Sequence, residues 1–447
     1  MRPATNVSTN TAAVATSVPK KTSLGVIFLT LYLDLIGFSI FFPLFPAMLD
    51  HYLAREGREG VLGWFLGHIE TLAPSLHGGG YTAVLFGGII ASLYSFLQFV
   101  FAPIWGAHSD RVGRRPVLRL TIAGTTASYA IWAFSGSFLL FLVSRLAAGI
   151  FSGNLSVATA AVSDITSRAD RAKGMGLIGA AFGLGFITGP TIGGLTAHWN
   201  LLSRWPGLAA FGVHPFSVTA LIACLLCLVN LLWVQRRFTE TYSPETASAH
   251  ERLRHPLRTL LAIPAAHVRR VIWINALFVL GFSALELTLS FLAADRLGYT
   301  PRQLTAVFVF TGVVSVVTQG LLVRRLVPRI GEKAASLLGL ALAFAGMAWL
   351  AFAYNAGSIY ASLGLASVGS GFCYSALSAL LSLYVREDEQ GRLMGLFRAL
   401  GSLTRAIGPI AAGVIYWSLG STACYVAAAG VILLPLGLAL SLPPARK

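Results

Sequence analysis

Apolar residues run through this chain in long stretches separated by short polar ones. Twelve stretches are each long enough to cross a bilayer as a helix of about 20 residues. They lie near 24–48, 81–104, 117–134, 138–162, 174–197, 214–234, 270–294, 303–323, 334–353, 356–383, 392–416 and 420–441. Gly, Pro and charged residues interrupt the apolar runs and mark the connections between them. The pattern predicts an all-α polytopic membrane protein of twelve transmembrane helices.

Composition agrees with the pattern. Of 447 residues, 55% are hydrophobic and 11% charged, and the mean hydropathy is +0.73. A soluble globular chain carries roughly 25% charged residues. The net charge of +16 would point to nucleic acid in a soluble protein. Here the positions of the charges point elsewhere. With the N-terminus inside, 25 of the 33 Lys and Arg fall on the inner side, five on the outer side (Arg55, Arg58, Arg204, Arg296, Arg302) and three within spans. This bias places both termini in the cytoplasm and accounts for the charge without a nucleic-acid partner.

Residues 1–23 are rich in Thr, Ala and Ser and read as a disordered cytoplasmic tail. The apolar run after Lys20 and Lys21 is too long for a signal peptide, so it reads as an uncleaved first span. Residues 235–269 form the one long inner loop, a linker between six-helix bundles at 24–234 and 270–441, with a short tail at 442–447. Cys224, Cys227, Cys373 and Cys424 all lie in apolar runs without accompanying histidines, so no metal or cofactor is expected.

The most informative polar segment is Gly106-Ala-His-Ser-Asp-Arg-Val-Gly-Arg-Arg-Pro-Val-Leu118. Arg111, Arg114 and Arg115 belong at a membrane surface, and Asp110 can pair with one of them. Gly113 and Pro116 are expected to break any helix and allow a tight reversal. Gly331 sits in a matching basic loop of the second half. Gly189-Pro190…Gly194 matches Gly408-Pro409…Gly413, and Gly37-Phe-Ser39 matches Gly281-Phe-Ser283. The halves therefore read as repeats.

The basic loop resembles the loop between helices 2 and 3 of the major facilitator superfamily, with His108 where Leu is usual. Asp34, Gly37, Pro43 and Pro46 resemble the first-helix motif of that superfamily's twelve-span drug/proton antiporters. Arg145-Leu-Ala-Ala-Gly149 is similar to their fourth-helix motif. Gly183 to Gly194, carrying Gly185, Gly189, Pro190, Gly193 and Gly194, is similar to the antiporter motif of helix 5. Around Tyr94 and Gln98 the chain resembles the bacterial tetracycline exporters. Yet it has Ser128, Ser315 and Ala343 where those carry an acid, a His and an acid, so the resemblance does not extend to tetracycline as cargo. Segments such as Leu285-Glu-Leu-Thr-Leu-Ser-Phe-Leu292 and Arg398 to Pro409 resemble the animal tetracycline-transporter-like branch, Tetran. That branch implies export of amphiphilic organic anions, with a proton gradient as energy source.

Asp34, Glu286, Arg145, Arg398 and Arg405 lie within spans, where each costs several kcal/mol unless paired or hydrated. Each is therefore a candidate site residue. Asp34 and Glu286 suit proton coupling; alternatively, Asp34 bonds a neighbouring helix and Glu286 forms a fixed salt bridge with Arg405. Arg145 and Arg405 suit an anionic substrate, with Arg398, Gln98, Asn154 and Gln319 as further polar contacts. Gly106, Asp110, Arg111, Gly113, Arg114 and Arg115, with Asp164, suit a cytoplasmic gate. Three arginines against two acids make the centre positive, which favours amphiphilic anions.

These features point to a multi-pass integral membrane protein, in the inner membrane if the source is bacterial. It would be a monomer that exports small amphiphilic anions or drugs in exchange for protons. The rivals are a facilitated or proton-symport importer and a non-transporting receptor. No nucleophile–base set, metal spacing or phosphate loop suggests an enzyme.

Overall fold

A computed structural model describes residues 24–71, 79–166, 171–241, 265–385 and 390–443. The expected tails and most of the 235–269 linker lie outside these. The first span is helix α1 (Leu24–Ser39), a 3-10 turn (Phe42–Leu44) and helix α2 (Phe45–Glu56). Pro43 and Pro46 stand at the starts of the last two, where a missing N–H costs least. They divide the span where one continuous helix was expected. The expected outer loop 49–80 is also partly helical: α2 runs on to Glu56, and helix α3 covers Gly60–Thr71.

Helices α4 (Gly79–Val112) and α5 (Arg114–Ala133) follow. Helix α6 (Phe138–Ile150) has Ser137 as its N-cap, and Glu56 accepts from Phe138 N at 2.7 Å. Helices α7 (Asn154–Ile165), α8 (Arg171–Thr196) and α9 (Ser217–Arg237) complete the first part.

Beyond the linker come α10 (Ala266–Leu297) and α11 (Pro301–Val317), the latter opened by a Thr300–Gln303 capping box. A π-turn at Thr318–Val323 leads to α12 (Arg324–Ile330). Then follow α13 (Glu332–Ala351), α14 (Ala356–Tyr384) and α15 (Gln390–Leu440). Within α15, Gly420 adopts φ 85° and turns the chain where the last two expected spans meet.

Among the described residues, eight segments are long and apolar enough to cross a membrane. They are Leu24–Glu56, Phe138–Val162, Ser217–Arg237, Ala266–Leu297, Arg302–Ile330, Glu332–Ala351, Ala356–Tyr384 and Ala399–Leu440. The expected spans 81–104, 117–134 and 174–197 fall on α4, α5 and α8.

The glycine motif of α8 is a groove for the first span. A Cβ on Gly185 would come within 2.6 Å of Leu35 Cβ, and one on Gly193 would overlap the Ile40 carbonyl. Ser39 fills the middle, donating to Leu35 O at 2.8 Å and to Gly185 O at 3.0 Å. A Cβ on Gly189 would overlap Ser39 Oγ, and one on Gly408 would overlap Ser283 Oγ. The sequence repeats Gly37-Phe-Ser39 and Gly281-Phe-Ser283 thus make the same contact in both parts. Small residues let these backbones approach, which drives helix association in lipid. Helix α4 packs on α15 and α8 on α11, so the two parts meet along two helix pairs.

Candidate functional site

At the end expected to be cytoplasmic, α4 continues through Gly106 and Asp110 to Val112, and Gly113 alone makes the reversal, with φ 102°. This corrects the expectation that Pro116 also breaks the helix: Pro116 stands in the first turn of α5, where proline is tolerated. Gly331 makes the same kind of junction between α12 and α13, with φ 81°.

Arg114 is buried and central. It bonds Asp110 Oδ1 at 2.5 Å, Asp164 Oδ2 at 3.0 Å and Ser109 Oγ at 2.6 Å. Burial works against its charge, but Asp164 and Asp110 hold its pKa above the ordinary arginine value. Arg111 is exposed.

Glu240, which sequence reasoning did not single out, accepts from Arg114 N at 2.8 Å and Arg115 N at 3.1 Å. It thereby satisfies two orphan donors at the start of α5. Arg115 Nη2 reaches Gln235 O at 2.6 Å. The basic loop is thus fastened to the start of the linker. Glu240→Ala is expected to cost about 1 kcal/mol of stability, the scale of a lost helix cap. Thermal unfolding in detergent checks this, and an unchanged midpoint would contradict the cap.

At the opposite end, His214 is buried and bonds Trp132 O through Nε2 at 2.8 Å, while Nδ1 accepts from Phe216 N. It is a neutral packing histidine.

The acids and arginines of the spans form two separate groups. Asp34 on α1 accepts from Asn154 Nδ2 at 2.7 Å, and Asn154 Oδ1 accepts from Thr121 Oγ1. This chain ties α1, α7 and α5 together. Glu286 on α10 and Arg405 on α15 pair at 3.5 Å, and Arg405 also donates to Tyr374 OH at 3.2 Å. Both side chains are about one-quarter exposed, and the pair is long.

A cavity of about 40 Å³ lies between the two parts of the molecule. That volume holds a few water molecules, so this is a constricted form of the site. Glu286, Arg405, Ser283 and Pro409 line one wall; Arg145, Tyr94 and the ring cluster Phe38, Phe41 and Phe42 line the other. Gln98, Asn154, Gln319 and Asp34 are not on the wall. Gln319 lies in the π-turn. The Arg398 side chain lies outside the described ones. Sequence reasoning missed Tyr374 and the aromatic lining; the run Phe41-Phe42 beside Pro43 was the available signal.

Arg145 is 2% exposed. Its guanidinium lies 5.0 Å from the centroids of Phe41 and Trp132, 5.5 Å from Tyr129 and 5.7 Å from Phe141. Nε reaches Ser144 Oγ at 3.3 Å, and the buried Nη2 has no hydrogen-bond partner. Among the described residues no carboxylate pairs with it. A buried cation costs several kcal/mol, a cost of the same order as four desolvated ring contacts of about 2 kcal/mol each. A planar donor left without an anion in a cavity wall is suited to a carboxylate or sulfonate.

A family model described as Major Facilitator Superfamily matches residues 27–409 and 325–447. Major facilitator superfamily domain-containing protein 10 of Bos taurus is 33% identical, covering 96% of this chain and 94% of its own. Tetracycline resistance protein, class C, of Escherichia coli is 30% identical, covering 89% and 90%. Among solved structures, the human organic anion transporter MFSD10 (TETRAN) superposes with a TM-score of 0.74 at 33% identity, covering 93% of this chain and 98% of that one. A bacterial homolog of the human lysosomal transporter Spinster, inward-facing and unoccupied, gives 0.68 at 13% identity and shares the fold.

Proposed function

This chain belongs to the major facilitator superfamily, and from that premise we propose that it moves amphiphilic organic anions across the membrane through the cavity between Arg145 and Arg405. The observation that carries this reading is the buried Arg145 Nη2, which has no partner in a wall of aromatic rings. The anionic group bonds the guanidinium, and the apolar body packs against Phe38, Phe41, Phe42 and Tyr94. Likeness to a solved organic anion transporter supports the same cargo class.

The site works by alternating access. The halves 24–234 and 270–441 rock about it, with both termini cytoplasmic. The Gly408–Ser283 and Gly189–Ser39 contacts keep each half rigid. The Asp110–Arg114–Asp164 cluster holds the cytoplasmic ends of α4, α5 and α7 in register. Protons power the cycle through Glu286, the acid on the cavity wall. Resemblance to tetracycline exporters supports export as the direction.

The test is uptake into proteoliposomes of three naphthalene compounds of similar size: a sulfonate, a neutral alcohol and a quaternary amine. Uptake above that of protein-free liposomes should appear only for the sulfonate, and Arg405→Ala should slow it about tenfold or more, the scale of one lost charged contact. Equal transport of all three would contradict the anion site.

A further inference from the structure

The exporter motif of α8 implies that protons and cargo cross in opposite directions. The charges of the cavity imply the reverse. Exchange requires that proton and cargo exclude each other at the site. Glu286 and the anion do not compete for the same charge. They compete for Arg405.

With Glu286 ionised, Arg405 is engaged at 3.5 Å and Arg145 stands alone, so the three groups sum to one positive charge. Protonating Glu286 removes its charge, releases Arg405 to the cavity and raises the sum to two positive charges. Both arginines can then face one anion. By reciprocity, a proton on Glu286 and an anion on Arg405 favour each other's binding. Among the described residues, the charged or titratable groups facing Glu286 are Arg405 from α15, Tyr374 from α14, Tyr94 from α4 and Arg145 from α6. None is a second acid that could reverse this sign. Asp34 is engaged with Asn154, away from the wall.

We infer that proton and organic anion bind this cavity cooperatively and cross the membrane together, one proton with each single negative charge, through competition between Glu286 and the anion for Arg405. This rests on the anion reading of the cavity and sets the direction that the exporter resemblance left to analogy: anions follow protons. The loaded cavity gains no net charge, so a membrane potential does not drive the cycle. Export of an anion by this route draws on a proton-rich inner compartment, and uptake draws on an acidic exterior.

The probe is 2-naphthalenesulfonate, which stays ionised and cannot carry the proton itself. In proteoliposomes with an imposed pH difference, it should accumulate on the alkaline side. A potassium diffusion potential alone should not move it. Accumulation on the acidic side would overturn the inference and leave the anion site standing; absence of any sulfonate binding or movement would overturn the anion reading itself. Binding to detergent-solubilised protein gives an independent measure. Affinity should be higher at acidic than at alkaline pH by about 5- to 150-fold, the usual range of coupling between two sites. Glu286→Gln, which mimics the protonated acid, should bind tightly at both pH values; a variant that keeps the wild-type pH dependence would place the proton elsewhere.

Discussion

Arg145→Ala lowers anion affinity sharply while leaving the protein about as stable as the wild type. The expected loss of affinity is roughly 100-fold or more, the scale of removing the cationic partner of a buried anion. Little change in stability is expected because Arg145 is 2% exposed and lacks an acid among the described residues. Removing it relieves a desolvation cost and forfeits four ring contacts and buried stem packing of similar total size, so the two nearly cancel. Arg145→Lys keeps the charge but loses the planar fork and its stacking, so an intermediate loss of about tenfold is expected. Binding of an aromatic sulfonate and thermal unfolding, measured on the same samples, check both expectations. A variant that binds normally would remove Arg145 from the site. One that unfolds early would make it a packing residue.

Gly189→Val prevents the first span from seating on α8. The added carbons would overlap Ser39 Oγ and come within 2.7 Å of the Ile36 carbonyl, so backbone as well as side chain must move. Overpacking costs about 1–3 kcal/mol where side chains can adjust, and more where backbone blocks the way. The expected result is loss of folded protein in detergent, seen as a collapsed monodisperse peak. Gly408→Val meets Ser283 and the Leu280 carbonyl in the same way and should fail similarly. If either variant yields normal amounts of stable protein, these glycine contacts do not hold the bundles together.

The helices and the repeats were legible in the sequence because their signals are local. Long apolar runs announce spans, and the Gly-Pro and Gly-Phe-Ser repeats make equivalent contacts at Ser39 and Ser283. The basic loop was legible in outline, since Asp110 and Arg114 are four residues apart on adjoining helices. Its fastening to Glu240 was not, because that bond spans 126 positions and no local pattern marks it. The break at Phe42–Leu44 was hinted at by Pro43 and Pro46, but tertiary packing decides whether prolines kink a helix or divide it.

Of the buried charges, the sequence could name Glu286 and Arg405 but left their pairing open; the structure joins them at 3.5 Å. Asp34 and Asn154, proposed for different roles, are hydrogen-bonded to each other and stand off the cavity wall. The aromatic surround of Arg145 draws on Phe41, Tyr129, Trp132 and Phe141 from three parts of the first half. Such a constellation exists only after folding, so no spacing in the chain could reveal it.

The measurement that bears most directly on the central claim is equilibrium binding of a matched pair of ligands to the purified wild-type protein. The pair is 2-naphthalenesulfonate and a naphthalene of the same size bearing a quaternary ammonium. The Arg145–Arg405 cavity predicts saturable binding of the sulfonate and none of the cation. Preferential binding of the cation would contradict an anion site between these two arginines.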